Sequence, residues 1–144
     1  MIATELARAL QDSGLVWRPA VGDAFRIDHV EADADVFYLS DMTVEAHDLV
    51  TGTELGFNGT TEWALDSVSI DEALWLPSET QLRDALGIAF HGLTTSPDGF
   101  LVTAEIDGAL IEFVAQRPED AYAHALIALL DSMVADRDRD LDDP

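Results

Sequence analysis

The N-terminal residues place apolar side chains at helical spacing and predict a helix from Thr4 to Asp12. Its apolar face is expected to contain Ile2, Leu6, Ala9 and Leu10. We expect Thr4 to cap the start of this helix, because its hydroxyl can accept from a free backbone amide. Gly14 is expected to adopt the left-handed conformation just past the helix end.

Short apolar runs separated by turn residues follow this helix and predict strands over 24–28, 36–40, 43–50, 53–57 and 61–68. The third and fourth runs are expected to form a hairpin around Thr51 and Gly52. Asn58 and Gly59 predict the next turn, because both residues tolerate positive φ. A short buried strand is expected from Ala73 to Leu76.

A second helix is expected to begin at Ser78, which forms a capping box with Gln81 three residues later. Its apolar face contains Leu82, Ala85 and Leu86, and Gly87 is expected to end it. A strand over 88–94 and the turn 96–99 follow.

The remaining strands, over 100–106 and 109–114, flank Asp107 and Gly108, a pair that favours a two-residue type I′ turn. That turn predicts a register with Ile106 opposite Ala109, Ala104 opposite Ile111, Val102 opposite Phe113, and Thr103 opposite Glu112.

Pro118 opens a final helix, because proline suits the first helical position. Its apolar stripe should dock on the hairpin and comprises Ala121, Tyr122, Ala125, Leu126, Leu129, Leu130 and Met133. The order of elements predicts an α+β fold: antiparallel sheets with about three helices packed on one face, and a C-terminal β-meander followed by a long helix. We expect a single domain over residues 1–135 and an acidic, disordered tail over 136–144.

Charge narrows the range of functions. The chain has 29 acidic residues against seven basic ones, all arginine, for a net charge of −22. Without lysine, a Walker-type phosphate loop and Schiff-base catalysis are excluded. The negative charge repels nucleic acid and anionic lipid, so neither nucleic acid nor membrane is an expected partner. Mimicry of nucleic acid by an acidic surface is an alternative.

The chain contains no cysteine, so disulfides and thiolate chemistry are excluded. The N-terminal segment is not typical of a signal peptide, and the apolar run AHALIALL is too short to span a bilayer, so we expect a cytoplasmic protein. The serines lack a nucleophile elbow, and no cofactor fingerprint is present. We therefore expect no cofactor, no metal and no catalytic residue.

One segment, GFNGTTEWALDSV, is the best candidate for a ligand site, because polar side chains cluster there beside a tryptophan that can stack on a ligand. The candidate ligand-binding residues are Asn58, Thr60, Glu62, Trp63 and Asp66. A turn followed by a strand with Trp63 in the core is the competing interpretation. Two weaker candidates are His47 with its acidic neighbours, and a partner groove formed by Trp75 and the helix that begins at Ser78.

The chain resembles a family of short uncharacterised bacterial proteins, largely actinobacterial, and three segments carry the resemblance: LARALQDSGLVWRPAVGDAF, GFNGTTEWALDSV and EALWLPSETQLRDALG. The similarity extends from Glu5 to Leu130. Some members carry a pilus-assembly label, which implies an accessory role in that process. The label belongs to ATPase-like proteins, and this chain departs from them because it has neither lysine nor phosphate loop.

These observations favour a small non-enzymatic binding or accessory domain that acts through a protein partner or through self-association. The first alternative is a small-ligand binder or hydrolase-like enzyme that uses the 58–66 segment. A pilus-assembly accessory and a nucleic-acid mimic are further alternatives.

Overall fold

The computed structural model describes residues 1–27, 36–39, 44–49, 52–57, 67–69 and 72–142. These residues form three helices and nine strands, and all strand pairs are antiparallel, which confirms the α+β class. The chain divides into two compact units, Trp17–Leu76 and a second unit that combines Met1–Val16 with Pro77–Pro144. The single domain expected over residues 1–135 stays a prediction.

The unit Trp17–Leu76 contains two three-stranded sheets. The first has the order β2-β1-β6, formed by β1 (Ala24–Ile27), β2 (Phe37–Tyr38) and β6 (Ala73–Leu76). The second has the order β3-β4-β5, formed by β3 (Val44–Leu49), β4 (Gly52–Phe57) and β5 (Ser67–Ser69). The predicted hairpin of β3 and β4 is confirmed, but Gly52, which was predicted to lie in the turn, is the first residue of β4 and lies opposite Leu49. The greater part of the strand predicted over 61–68, residues 61–66, lies outside the described residues.

Aromatic residues fill the core of the first sheet. Phe25 is fully buried, and the Trp17 and Phe37 rings lie 5.5 and 5.7 Å from its ring, measured between centroids. Ile27, Leu39 and Ala73 complete this core. β6 has the predicted bounds, and Leu74 and Leu76 are buried as expected.

In the other unit, helix α1 (Thr4–Asp12) has the predicted bounds but not the predicted cap. Thr4 lies inside the helix, and Ala3 at the N-cap makes no side-chain capping bond. The backbone N–H of Ala3 donates instead to Asp120 Oδ1 at 2.8 Å, so an acceptor remote in sequence holds the helix start. At the other end, Gly14 has φ of 108°, as predicted, and the Leu15 amide donates to the Leu10 carbonyl in a Schellman pattern.

Helix α2 (Glu79–Leu86) begins with the predicted capping box: Ser78 N donates to Gln81 Oε1 at 2.9 Å, and Gln81 N donates to Ser78 Oγ at 3.2 Å. Leu82 and Leu86 are buried, but Ala85 is exposed, so its assignment to the apolar face is wrong. Leu82 and Leu86, four positions apart, share one side of the helix, whereas Ala85 is rotated by about 100° from Leu86 and lies at the margin of that side.

A 3₁₀ turn, Gly87–Ala89, follows α2 where a strand was expected to begin. Ile88 lies in this turn and is 99% exposed. Strand β7 is Phe90–Ser96, and it pairs with β8 (Gly99–Ile106), which pairs with β9 (Ala109–Ala115). Asp107 and Gly108 both have positive φ, at 52° and 81°, as a type I′ turn requires.

The predicted register of the hairpin is confirmed at all four pairs. Helix α3 (Pro118–Asp142) packs on β8 and β9, and α1 and α2 pack on α3. The buried part of α3 includes Ala121, Tyr122, Ala125 and Leu126, whereas Met133 is exposed. The helix continues past Ala135 to Asp142, so the residues expected to form a tail are helical as far as 142.

Candidate functional site

The five residues predicted to bind a ligand, Asn58, Thr60, Glu62, Trp63 and Asp66, all lie outside the described residues. Their role as a ligand site stays a prediction. His47 lies in β3, where its backbone is opposite Glu54 of β4. Within the part of the chain that the structure describes, no three metal-ligating side chains converge.

The alternative partner groove was predicted from Trp75 and the helix that begins at Ser78, and it stays a prediction. The Trp75 indole stacks on that of Trp17, with ring centroids 6.4 Å apart and planes 10° from parallel. The Trp17 Nε1–H donates to Asp23 Oδ2 at 2.9 Å, and the Ala20 amide donates to the same oxygen at 3.0 Å. Asp23 is buried, so this carboxylate organises the loop before β1. These contacts account for Trp17 and Asp23 as structural residues.

Tyr122 of α3 is a buried phenol beside the charged residues of α2. Burial raises the pKa of its hydroxyl, and the negative charge of Glu79 raises it further. Arg83 opposes this shift through its positive charge and a hydrogen bond. Phe90 completes the cluster, with its ring 5.5 Å from that of Tyr122. A phenol that stays neutral suits a structural role better than that of a nucleophile.

The sheet formed by β7, β8 and β9 has two unlike faces. Val102, Ala104 and Ile106 of β8 are buried on the face that packs against α3. Side chains alternate along a strand, so the intervening residues of β8 and their partners in β9 lie on the other face. We call this surface the open face, and it comprises Leu101, Thr103, Glu105, Leu110, Glu112 and Val114.

Two apolar side chains of β9 are exposed on the open face: Leu110 is 62% and Val114 is 45% accessible. Glu112 lies between them along the strand and is also exposed. On the other face, Ile111 is 40% accessible although it was predicted to be part of the apolar face under α3. The reason is position in the sheet: β9 is the outer strand, and α3 covers the central strand more completely.

The outer side of β9 is a free backbone edge. Ile106 and Ala109 flank a two-residue turn and therefore form a hydrogen-bonded pair, which alternates with non-hydrogen-bonded pairs along the ladder. Because of this alternation, three residues of β9 point their backbone N–H and C=O groups away from β8: Leu110, Glu112 and Val114. Among the described strands, none pairs with that side.

The open face also carries charge. Glu105 and Glu112 are both exposed, and His91 Nε2 lies 3.5 Å from Glu105 Oε2. Sequence reasoning identified the strands and their register but not this surface. The signal was present in ALIEFVA, where apolar residues occupy both faces of one strand and Glu112 is the one polar residue among them.

The described helices include none with the length and apolarity needed to cross a bilayer. The resemblance to short actinobacterial proteins stays a prediction. Comparison with protein-family models, with curated proteins and with solved structures found no match to this chain.

Proposed function

We propose that this protein is a non-enzymatic protein-binding module that presents strand β9 and the adjoining open face to a protein partner. The observation that carries the proposal is the accessibility of Leu110 and Val114, at 62% and 45%, on a strand whose outer backbone edge is unpaired in the described part of the chain. Exposed apolar side chains on an uncovered edge strand are typical of surfaces that pair with another chain.

The edge is also rigid before any partner arrives. The type I′ turn sets the register of β9 against β8, and α3 packs against both strands. Ser132 of α3 donates a hydrogen bond to Asp107 Oδ1, which holds the tip of the hairpin. A strand fixed in this way loses little conformational freedom on binding, so more of the contact free energy appears as affinity.

Few of the devices that protect edge strands occur within β9: it contains no proline and no lysine, and Glu112 is its one charged residue. A single exposed glutamate leaves the apolar positions on both sides of it accessible. This composition supports a surface that is covered in the working protein.

Site-specific photo-crosslinking tests the proposal. A benzoylphenylalanine placed at Leu110, in cells of the organism that encodes the protein, is expected to crosslink to one partner protein. The same group at Ala85, which is exposed on α2, is the matched control and is expected not to do so. The captured protein is then purified, and its affinity for the unlabelled chain is measured.

Val114→Asp adds a charge to the exposed apolar surface and is expected to weaken this purified complex by at least about tenfold, because an unpaired charge would be buried on binding. Unchanged circular dichroism would show that the variant is folded. Equal crosslinking from both positions, or a complex that tolerates Val114→Asp, would contradict the proposal.

A further inference from the structure

We propose that the partner segment is an extended strand that pairs with β9 and presents a lysine or arginine opposite Glu112, with apolar residues at the two positions on each side. The inference rests on the proposed function and specifies the chemistry of the partner. It requires the five-residue pattern apolar, apolar, basic, apolar, apolar.

The pattern follows from the side chains that an added strand would meet. On the open face, Leu110, Glu112 and Val114 succeed one another at alternate positions. On the opposite face, the added strand would lie beside Ile111, which is 40% accessible, and Phe113, which is partly buried. Directly opposed side chains contact each other across a sheet, so four positions of the partner meet apolar groups and the central one meets a carboxylate.

A second copy of this chain fits the edge poorly. In a two-fold antiparallel pairing, opposed residues must point to the same face, so a register is centred on one residue. Centring on Glu112 places two carboxylates opposite each other, which is destabilising. Centring on Ile111 or Phe113 places Glu112 opposite an apolar residue, Leu110 or Val114. No nearby register gives Glu112 a cation.

The charge of the whole chain favours the same partner. With 29 acidic and seven basic residues, the protein repels a copy of itself and attracts a basic segment before contact. Glu105 lies on the open face opposite Leu110 and adds a second carboxylate near the start of β9. Long-range attraction and the local pairing at Glu112 therefore select the same class of partner.

Three synthetic peptides provide the test. Each has the core Val-Ile-X-Val-Ile, with X as arginine, its neutral isostere citrulline, or glutamate, and each is N-methylated on the amides that face away from β9, so that the peptides cannot form sheets themselves. Titration into ¹⁵N-labelled protein is followed by NMR. We expect the arginine peptide to bind about fivefold more tightly than the citrulline peptide, and the glutamate peptide to bind least tightly. The affected amides are expected to be those of Leu110, Glu112 and Val114.

A charge exchange identifies the residue responsible. Glu112→Arg is expected to reverse the ranking, so that the glutamate peptide binds more tightly than the arginine peptide. Asp84→Arg, on the exposed side of α2, changes the net charge equally and is expected to leave the ranking unchanged. The amide spectra of both variants show whether they are folded.

The outcomes separate this inference from the proposed function. If Glu112→Arg leaves the ranking unchanged, if the peptides perturb other amides, or if dilution alone shifts the β9 amides through self-association, the inference is overturned. If only the ranking is unchanged by Glu112→Arg, a partner crosslinked from position 110 would still support the proposed function. If position 110 captures no specific partner while the peptides bind as expected, the proposed function fails although the strand preference holds.

Discussion

Asp23 is a single buried polar residue on which the stability of the fold depends. Its carboxylate is buried and accepts from the Trp17 indole and the Ala20 amide. Buried donors that lose their acceptor cost more free energy than the hydrogen bond itself contributes, because they also lost their hydration on folding. One carboxylate oxygen therefore holds both the Trp17 ring and the Ala20 backbone in the loop that leads into β1.

Asp23→Leu is expected to lower the free energy of unfolding by about 1–3 kcal/mol, because it removes the acceptor of the partly buried Trp17 indole N–H and of the Ala20 amide. Asp23→Asn keeps one acceptor oxygen and is expected to lose less than half as much. Urea unfolding followed by tryptophan fluorescence measures both. Asp84→Leu, at an exposed position, is the control, and an equal loss there would contradict the role given to Asp23.

Tyr122 gives a prediction for alkaline pH. Burial and the charge of Glu79 raise the pKa of Tyr122 in the folded state above its ordinary value of 10.0. The neutral phenol therefore stabilises the fold fully below the unfolded-state pKa, and this contribution is lost as pH rises through the folded-state pKa. Tyr122→Phe is expected to make the free energy of unfolding less dependent on pH above about pH 10.

The measurement is urea unfolding at several values between about pH 9 and 11, compared between the unmodified protein and Tyr122→Phe. Tyr38 is exposed, and Tyr38→Phe is the matched control that should keep the pH dependence of the unmodified chain. If Tyr38→Phe and Tyr122→Phe change the slope equally, burial is not its cause.

In the unit that combines Met1–Val16 with Pro77–Pro144, turn residues and helix caps set where strands and helices begin and how they pair. Asp107 and Gly108 set the register of β8 and β9, and Ser78 with Gln81 starts α2. These local signals operate over two to four residues, so they were readable in the sequence. Gly99, at the start of β8, depends instead on a remote neighbour. A Cβ at this position would lie 2.3 Å from the Ala115 carbonyl oxygen.

Gly99→Ala is expected to destabilise the protein by roughly 2–4 kcal/mol, since it combines this overlap with a φ of 131°, which L-residues rarely adopt. Gly92→Ala, in the neighbouring strand, is the matched control because a Cβ there meets nothing within 4 Å. Thermal and urea unfolding of the two variants compare the costs. A loss at Gly92 as large as that at Gly99 would show that strand glycines matter for another reason.

Helix α3 is longer than the apolar stripe from which it was predicted. The stripe that packs on the sheet weakens beyond Leu130, yet the helix continues to Asp142. Arg139 Nη2 lies 2.8 Å from Asp136 Oδ1, a pair three residues apart on the helix surface. The alternating Asp and Arg residues after Ala135 have the composition of a disordered tail, but residues three apart among them can also pair on a helix. The composition therefore led to a predicted end of α3 that is too early.

At the scale of the whole molecule, a net charge of −22 is the dominant property. Unfolding separates like charges, so their mutual repulsion favours the expanded state. Raising NaCl from about 10 to 500 mM shortens the Debye length from roughly 30 Å to below 8 Å, and we expect the free energy of unfolding to increase by about 1 kcal/mol or more.

Urea unfolding at fixed pH across this salt range measures the effect. Equal ionic strength supplied as KCl is the control for an effect of the sodium ion itself. A free energy of unfolding that falls or stays constant as salt increases would contradict a destabilising role for the net charge.

The sequence by itself determined the α+β class, the bounds of α1 and β6, the capping box and the hairpin register, because each of these depends on periodicity or turn chemistry within a few residues. Only the tertiary structure decided that Asp120 supports the start of α1, that Ala85 and Ile111 are exposed, and that Leu110 and Val114 lie on an uncovered edge. Which apolar face is covered depends on contacts between elements distant in the chain. Local sequence patterns do not determine those long-range contacts.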